Sequence, residues 1–284
     1  MTSTLIVNAD DYGRTPGVSS GIRQAHLRGL VSTTTVMVNM PDVLDQIRRA
    51  QDECPRLGLG VHLNLTIGPP CAPTEEIPSL LDSQGRFHER VAIVQLLAGI
   101  DPTQVEIEFR AQIQVFLTTG ATLDHLDSHY HIVAFHPSLW EIYLNLAEEF
   151  GCGVRPSFPS DVPQNALSDI YPPSVLSFAC HGAMELLRTS QVPHPDNFLA
   201  SFFGLNATQE NLLALLGGLP SGVCELMCHP GYPDPILLAE SGYAKEREVE
   251  LAILTHPIIK QTVQQAEIRL STYRDAWNRS PVSS

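Results

Sequence analysis

The sequence lacks several features that would place the protein in another class. It has no run of about 18 apolar residues, the length that a membrane-spanning helix needs. Basic residues are few, since 17 Lys and Arg stand against 31 Asp and Glu, a net charge of −14. Nucleic-acid partners require a basic surface, so this balance argues against them. No positive charge precedes the first apolar run, and residues 1–8 therefore predict a strand rather than a signal peptide. We expect a cytoplasmic protein with no membrane partner.

Motifs for cross-links, nucleotide binding and nucleophilic catalysis are also absent. The six cysteines are scattered, and Cys224 and Cys228 lack the second pair that a zinc site of this type needs. We expect them to be reduced thiols in the core. No glycine-rich phosphate loop follows the first apolar run, and the sequence contains no G-x-S-x-G motif. Histidine stands out instead, with 11 residues, several of them clustered.

Short apolar or β-branched runs alternate with helical periodicity, which is typical of βα units around a parallel sheet. Strands are predicted at residues 5–7, 33–38, 58–66, 123–131, 153–156 and 222–228. Helices are predicted at residues 18–30, 41–54, 90–97, 102–118, 137–150, 211–216 and 244–276. This order favours an α/β fold, a distorted (β/α) TIM-like barrel in one domain spanning residues 1–284, over an open doubly wound sheet. The stretch 67–87 predicts a long loop, and the poorly periodic residues 156–206 predict an insertion or lid.

Ionisable side chains follow the first predicted strand and lie on the third. Asp10 and Asp11 would point to opposite faces of a regular strand, but at a strand end one can bind a metal while the other handles protons. A solvated loop that caps the next helix is the alternative. His62 shares a strand face with Asn64 and Thr66, a pattern that fits either a site or an exposed face.

The strongest local pattern is His-Leu-Asp-Ser-His-Tyr-His at residues 125–131. With a period of two, His125, Asp127, His129 and His131 share one face, and such groups cannot lie against an apolar core without partners. A metal site explains them better than an exposed edge strand. Neutral imidazoles would bind the ion, and Asp127 or a backbone carbonyl would orient one of them.

Two further residues end predicted strands. His229 precedes Pro230 and is placed to act as an acid or base, unless it is an ordinary turn histidine. Arg155 could neutralise a carboxylate or pair with a surface acid. Because the carboxyl ends of strands converge in a barrel, we expect these residues to meet. One Asp and two His leave positions on an ion open for water and substrate, which predicts metal-activated attack by water.

Four motifs resemble the YdjC-like carbohydrate deacetylases, the family of the chitooligosaccharide deacetylases. They are Asn-Ala-Asp-Asp-Tyr-Gly at 8–13, Gly-Val-His-Leu-Asn-Leu-Thr at 60–66, the histidine motif at 125–131 and Met-Cys-His-Pro-Gly at 227–231. The resemblance extends to residues 29–34 and 247–255 and covers most of the chain in order, with the weakest match at 156–206. It implies a distorted barrel that removes N-acetyl groups from a small carbohydrate substrate such as a chitooligosaccharide, releasing acetate.

The same resemblance implies the roles of individual residues. Asp11, His62 and His129 correspond to the metal ligands, Asp10 to the base and His229 to the acid. Arg155 matches an arginine-bearing strand end of the family more loosely and is our candidate substrate-binding residue. One divalent ion is implied: imidazole ligands favour Zn²⁺ or Co²⁺, whereas family members are often described with Mg²⁺. A homodimer is one assembly that this interpretation allows.

Two other functions stay open on sequence grounds. A metal-dependent phosphoester hydrolase would require more than one bridging carboxylate and additional basic groups, for which Arg155 is the one candidate. A sugar-binding protein without activity would need neither Asp10 nor His229. Aromatic residues that could contact a sugar, or belong to the core, are Phe198, Phe202, Phe203 and Tyr232.

Overall fold

The computed structural model describes residues 3–89, 99–163 and 171–277. Its strands are β1 (Thr4–Tyr12), β2 (Thr33–Val36), β3 (Gly58–Leu63), β4 (Leu123–Ser128), β5 (Gly153–Val154), β6 (Asn197–Leu199), β7 (Val223–Cys228) and β8 (Arg269–Leu270). Its α-helices are α1 (Pro16–Arg28), α2 (Val43–Glu53), α3 (Pro102–Leu117), α4 (Pro137–Phe150), α5 (Pro173–Ser177), α6 (Ala183–Thr189), α7 (Gln209–Gly217), α8 (Pro235–Glu240), α9 (Lys245–Leu254), α10 (Pro257–Gln265) and α11 (Tyr273–Trp277). The helix predicted at residues 90–97 lies outside the described residues.

The strands form one parallel sheet in the order β5-β4-β3-β2-β1-β7-β6, with β8 pairing beside β1. Chain order is followed around the sheet and β7 returns to β1, which is the arrangement of a barrel. The amide of Val154 in β5 donates to the carbonyl of Pro193 just before β6 and links the two ends of this order. The prediction of a distorted (β/α) barrel is confirmed, and the open doubly wound sheet is wrong. Within the described residues, no helix has both the length and the apolar character needed to cross a membrane.

The two faces of β1 show how the barrel divides its apolar and polar groups. Leu5, Val7 and Ala9 belong to the apolar core that lies between the strands and the surrounding helices. Asn8 and Asp10 alternate with them and hydrogen-bond to each other, Asn8 Nδ2 lying 2.8 Å from Asp10 Oδ1. On this strand, two polar side chains that face the barrel interior therefore satisfy each other, as burial of such groups requires.

Several predicted segments differ from the structure, and the strand predicted at residues 58–66, for example, ends at Leu63. Strand β4 ends at Ser128 rather than at residue 131, because Tyr130 and His131 both have φ of 55° and cannot continue a strand. The periodic stretch 244–276 is divided at Pro257, which lacks the amide that a helix interior needs, and it ends in β8 and α11. Residues 156–206 contain α5, α6 and also β6, a strand of the barrel sheet.

Helix α1 is placed by its caps and by one close approach. Thr15 Oγ1 accepts from the amide of Val18, Pro16 occupies the first turn, and Gly29 ends the helix. A Cβ on Gly21 would lie 2.5 Å from the Cα of Gly231, so a larger residue could not occupy that position. Glycine thus allows α1 to pack directly against the turn that follows β7.

The predicted long loop after β3 is fixed by two buried side chains of α3. Glu108 accepts the amide of Cys71 at 3.0 and 3.1 Å and the amide of Ala72 at 2.9 Å. Gln112 bonds both the amide and the carbonyl of Asn64, at 3.0 and 2.7 Å. Side chains of α3 therefore satisfy backbone groups of the loop that a neighbouring strand would otherwise have to satisfy.

Replacing Glu108 with Ala should destabilise the protein by about 3 kcal/mol, because two buried amides and Gln112 lose their acceptor. The measurement is urea denaturation. Glu106→Ala is the matched control, since Glu106 lies on the same helix and makes an exposed ion pair with Arg110, a contact worth about 0.5 kcal/mol or less. Equal destabilisation by the two variants would show that Glu108 does not fix the loop.

Candidate active site

Asp10 and Asp11 end β1 side by side because the strand is distorted there. The pairing of β1 with β2 shifts register between Ala9 and Tyr12, and Asp11 has φ of 73°. A non-glycine residue in this left-handed region is uncommon and is found at functional sites. Both carboxylates are buried, and the distortion turns them toward one region instead of to opposite faces of the sheet.

Three donor atoms from β1, β3 and the segment after β4 form a nearly equilateral triangle. Asp11 Oδ1 lies 3.3 Å from His62 Nε2 and 3.3 Å from His129 Nδ1, and the two ring nitrogens are 3.2 Å apart. Ligands about 2.1 Å from one ion have such spacings when the angles between them are near 100°. Asp11 Oδ1 is buried and has no hydrogen-bond partner among the described residues. The donor set and its spacing fit a divalent metal ion.

The charges around this triangle also favour a cation. Burial would lower the pKa of His62, but Asp127, Asp11 and Asp10 outweigh it and raise that pKa to about 10. Burial would likewise raise the pKa of Asp11, yet Arg247 and the two histidines hold it well below its usual value. Without a metal, His62 in this cluster therefore retains a proton. When a metal ion binds, it takes the place of that positive charge.

Asp127 orients His62, a candidate metal ligand, from behind. Its Oδ1 lies 2.6 Å from His62 Nδ1, and its Oδ2 accepts from the hydroxyl of Thr35 at 3.0 Å. This contact directs Nε2 of the ring toward the triangle, the arrangement common to metal-binding histidines. The sequence left open whether Asp127 or a backbone carbonyl orients the histidine. In the structure the orienting group is the Asp127 carboxylate.

The turn after β4 separates the histidines of the 125–131 motif. His129 joins the triangle, whereas His125 lies deep in the barrel with its ring stacked on Tyr273. His131 contacts the ring of Phe198 edge-on and is not part of the triangle. The expectation that all four polar residues form one face is wrong beyond Ser128, because the left-handed residues 130 and 131 break the alternation.

Arg155 binds carboxylates of the protein. Its Nη1 and Nη2 donate to the two oxygens of Asp10 at 2.7 and 2.6 Å. Nη1 also lies 2.8 Å from Asp127 Oδ2, and Nε donates to Glu225 Oε1 at 2.8 Å. The side chain is 2% exposed and its guanidinium faces these three carboxylates, so a substrate-binding role for Arg155 stays a prediction. Burial would raise the pKa of Asp10, but Arg155 holds it below its usual value.

His229 lies on the other side of Asp10, directly after β7. Its Nε2 is 3.9 Å from Asp10 Oδ2, and its amide donates to Glu250 Oε2 at 2.5 Å. Burial lowers the pKa of the ring to about 4, so the resting imidazole is neutral at pH 7. Phe203 and Tyr243 contact the ring edge-on at 5.3 and 5.8 Å.

Aromatic side chains border the site unevenly. Phe198 and Phe202 are buried. The ring of Phe198 lies beneath the Arg155 guanidinium, with its centroid 5.0 Å from Arg155 Cζ. Phe203 and Tyr232 are 44% and 40% exposed, and Tyr130 beside His129 is 41% exposed. Tyr130 contacts His129, the candidate metal ligand, and Phe203 contacts His229, the candidate acid.

Several site residues were not singled out from the sequence. Arg247 of α9 hydrogen-bonds Asp11 Oδ2, and Glu225 and Glu250 contact Arg155 and His229. Arg247 lies on a helix, where no alternation or strand end marks it, and its one signal was its place in the resembling stretch 247–255. Glu225 alternates with Met227 and His229 along β7, which in retrospect directs it into the barrel.

Glu250 makes stability depend on pH. Burial raises its pKa from 4.5 to about 7. Because the pKa is raised, the protonated carboxyl stabilises the folded protein. This contribution is fully present below pH 4.5 and is lost as the pH rises through 7. In chelator-treated protein, the difference in unfolding free energy between wild type and Glu250→Gln should therefore fall by about 3 kcal/mol between pH 4.5 and 8. Urea denaturation across this range measures it, with the exposed Glu248→Gln as control. A difference that stays constant with pH would contradict the burial effect.

Comparisons with known proteins place this site in a known class of fold. The structure of a family 4 carbohydrate esterase from Streptomyces lividans, solved with acetate, is similar with a TM-score of 0.51 and 12% identity, over 95% of this chain and 92% of that one. This likeness shows the same distorted barrel. The family model described as YdjC-like protein matches residues 4–265, and the chain belongs to the YdjC-like family.

Individual relatives match over nearly their whole length. A carbohydrate deacetylase of Brevibacillus brevis is 36% identical over 95% of this chain and 98% of its own. One from Vibrio parahaemolyticus is 35% identical over 95% and 94%. The structure of a candidate cellobiose-phosphate cleavage protein of Enterococcus faecalis matches with a TM-score of 0.85 and 32% identity, over 96% of this chain and 98% of that one. Family membership, as expected from the four motifs, is confirmed.

Proposed function

We propose that the protein is a metal-dependent carbohydrate deacetylase that hydrolyses the N-acetyl group of a small N-acetylated sugar, chitooligosaccharide-like, and releases acetate. The observation that carries this proposal is the triangle of Asp11, His62 and His129, flanked by Asp10 and His229. The names of the relatives, carbohydrate deacetylases, agree with it. A binding protein would have no use for a proton acceptor and a proton donor on either side of a metal site.

Asp11, His62 and His129 would hold the ion, which when bound polarises the acetyl carbonyl and lowers the pKa of water. Asp10 accepts the proton of the attacking water. Its two oxygens are fixed by Arg155, and the low pKa that results keeps it ionised and ready to accept.

His229 delivers a proton to the leaving amine. Its resting ring is neutral, so the proton it donates must reach it within the site. Asp10 Oδ2, 3.9 Å from His229 Nε2, is the neighbouring group that can pass on the proton taken from water. Acetate and a free amino sugar are the products.

The choice of metal follows from the donor set. Two imidazoles and one carboxylate suit Zn²⁺ or Co²⁺ better than Mg²⁺, which prefers oxygen ligands. We propose a transition-metal ion in this site and include Mg²⁺ among the ions to be tested.

Substrate contacts are proposed for the exposed rings. The faces of Tyr130 and Phe203 lie beside His129 and His229 and offer surfaces for the apolar face of a pyranose. Arg155 is buried and pairs with three carboxylates of the protein, which disfavours a role for it in binding a phosphoester. This is why deacetylation is preferred to phosphoester hydrolysis.

The test is acetate release from diacetylchitobiose by metal-stripped protein, before and after addition of Zn²⁺, Co²⁺ or Mg²⁺. Acetate that appears only after an ion is added is the expected result, and the most effective ion decides the metal. Hydrolysis of a phosphoester under the same conditions, with no acetate from any acetylated sugar, would refute the proposal.

A further inference from the structure

We propose that Tyr273, on the C-terminal helix α11, is a positioning residue that holds Asp10 in place through Glu225 and Arg155. The inference rests on the proposed function in one respect, that Asp10 is the base. It concerns the opposite end of the barrel from the metal site, since β8 pairs with the first residues of β1 and α11 begins against Asp124 near the start of β4.

Consecutive buried hydrogen bonds join the two ends. The hydroxyl of Tyr273 donates to Glu225 Oε2 at 2.5 Å, and Glu225 Oε1 accepts from Arg155 Nε at 2.8 Å. The other two nitrogens of Arg155 then hold both oxygens of Asp10. The four side chains are 3% exposed or less, so water does not substitute for any of these contacts. In such surroundings the loss of one partner is costly and moves its neighbours.

The ring of Tyr273 is fixed independently of its hydroxyl. It stacks on His125 with centroids 4.1 Å apart and an angle of 5°. Asp124 accepts the amides of Tyr273 and Arg274 at 3.2 and 2.9 Å, which anchors the start of α11. A Cβ on Gly153 would lie 2.6 Å from Tyr273 Cδ1, so glycine in β5 leaves the space that the ring occupies. Three separate contacts thus place the hydroxyl opposite Glu225.

Glu225 depends on both of its partners. It is fully buried on β7, and burial raises its pKa, while Arg155 and the Tyr273 hydroxyl favour its charged form. Among the described residues, Oε2 accepts from the Tyr273 hydroxyl and Oε1 accepts from Arg155 Nε. Without the hydroxyl, Oε2 is left unpaired and the carboxylate is free to rotate. The Nε edge of Arg155 then loses a fixed partner. Among the described residues, its guanidinium is then held at Nη1 and Nη2 by Asp10, which it positions, and by Asp127.

The first arm of the experiment compares Tyr273→Phe with Trp277→Phe by steady-state kinetics of acetate release. Phenylalanine keeps the stacked ring and removes only the hydroxyl, so kcat should fall about tenfold with KM unchanged. Trp277 is on the same helix, with its ring 5.7 Å from that of Tyr273, and its replacement should leave kcat within twofold. Glu225→Gln, which removes the charge opposite Arg155, should lower kcat at least as much as Tyr273→Phe.

The second arm does not depend on activity. In a ¹H–¹⁵N spectrum of the arginine side chains, the Nε–H signal of Arg155, assigned with Arg155→Lys, should shift or broaden in Tyr273→Phe and stay unchanged in Trp277→Phe. An unchanged Arg155 signal in Tyr273→Phe overturns the inference. So does an equal loss of kcat in both variants, which indicates a general weakening of α11. If wild type releases no acetate, the proposed function fails, and the Arg155 signal alone decides the inference.

Discussion

Asp10→Asn is expected to lower kcat for acetate release by about 10³-fold, the contribution of a well-placed general base. Asparagine has nearly the same shape and can still accept a hydrogen bond from Arg155 through its amide oxygen. It cannot take the proton of the attacking water. Because the triangle of Asp11, His62 and His129 is untouched, the variant should still bind one equivalent of metal, as measured by metal analysis after dialysis.

The separation of activity from metal content makes this prediction specific. Asp82→Asn, in the loop after β3, replaces a carboxylate that pairs with Arg86 and accepts two loop amides, and it should behave as wild type in both measurements. If Asp10→Asn keeps a tenth or more of the activity, another group takes the proton. If it loses the metal as well, Asp10 is a ligand rather than a base.

Asp11→Asn is expected to abolish metal retention and acetate release together. Replacing a residue that only contacts a metal ligand already lowers metal affinity by about 10 to 100-fold, and Asp11 would bind the ion directly. Asparagine adopts the left-handed backbone more readily than most residues, so the distortion at the end of β1 should survive the change. The loss can then be ascribed to the missing carboxylate charge rather than to the backbone.

Thermal and urea denaturation give a second measure of the same effect. An ion at 1,000 times its dissociation constant stabilises the wild type by about 4 kcal/mol, and Asp11→Asn should gain little of this. His181→Gln, at an exposed histidine far from the triangle in sequence, is the control and should respond to the ion as wild type does. Full stabilisation of Asp11→Asn by metal would remove Asp11 from the ligand set.

The barrel and the positions of the site residues could be predicted from the sequence where a strand keeps its alternation to the end. His62 lies on such a strand and is placed with its ring toward the site. The alternation failed after β4 and at the end of β1, because Asp11, Tyr130 and His131 adopt left-handed backbone that only tertiary contacts can stabilise. No periodicity reports such a conformation in a residue other than glycine.

Contacts between distant elements could not be predicted either. Arg155 follows a strand of two residues, and sequence alone cannot tell a guanidinium that meets a substrate from one enclosed by Asp10, Asp127 and Glu225. Arg247 comes from a helix 236 residues after the carboxylate it contacts. These positions carry chemistry because the barrel closes, and closure has no local sequence signal.

The pairing of β1 on both sides has a consequence for biosynthesis. Its first neighbour β2 follows at once, but β7 begins at Val223 and β8 at Arg269. At about 5 to 20 residues per second, a ribosome needs on the order of 10 to 40 s to make the chain between β1 and β7. During that interval one edge of β1 remains unpaired. The nascent chain should therefore be most prone to aggregation, and most dependent on chaperones, before its last quarter emerges.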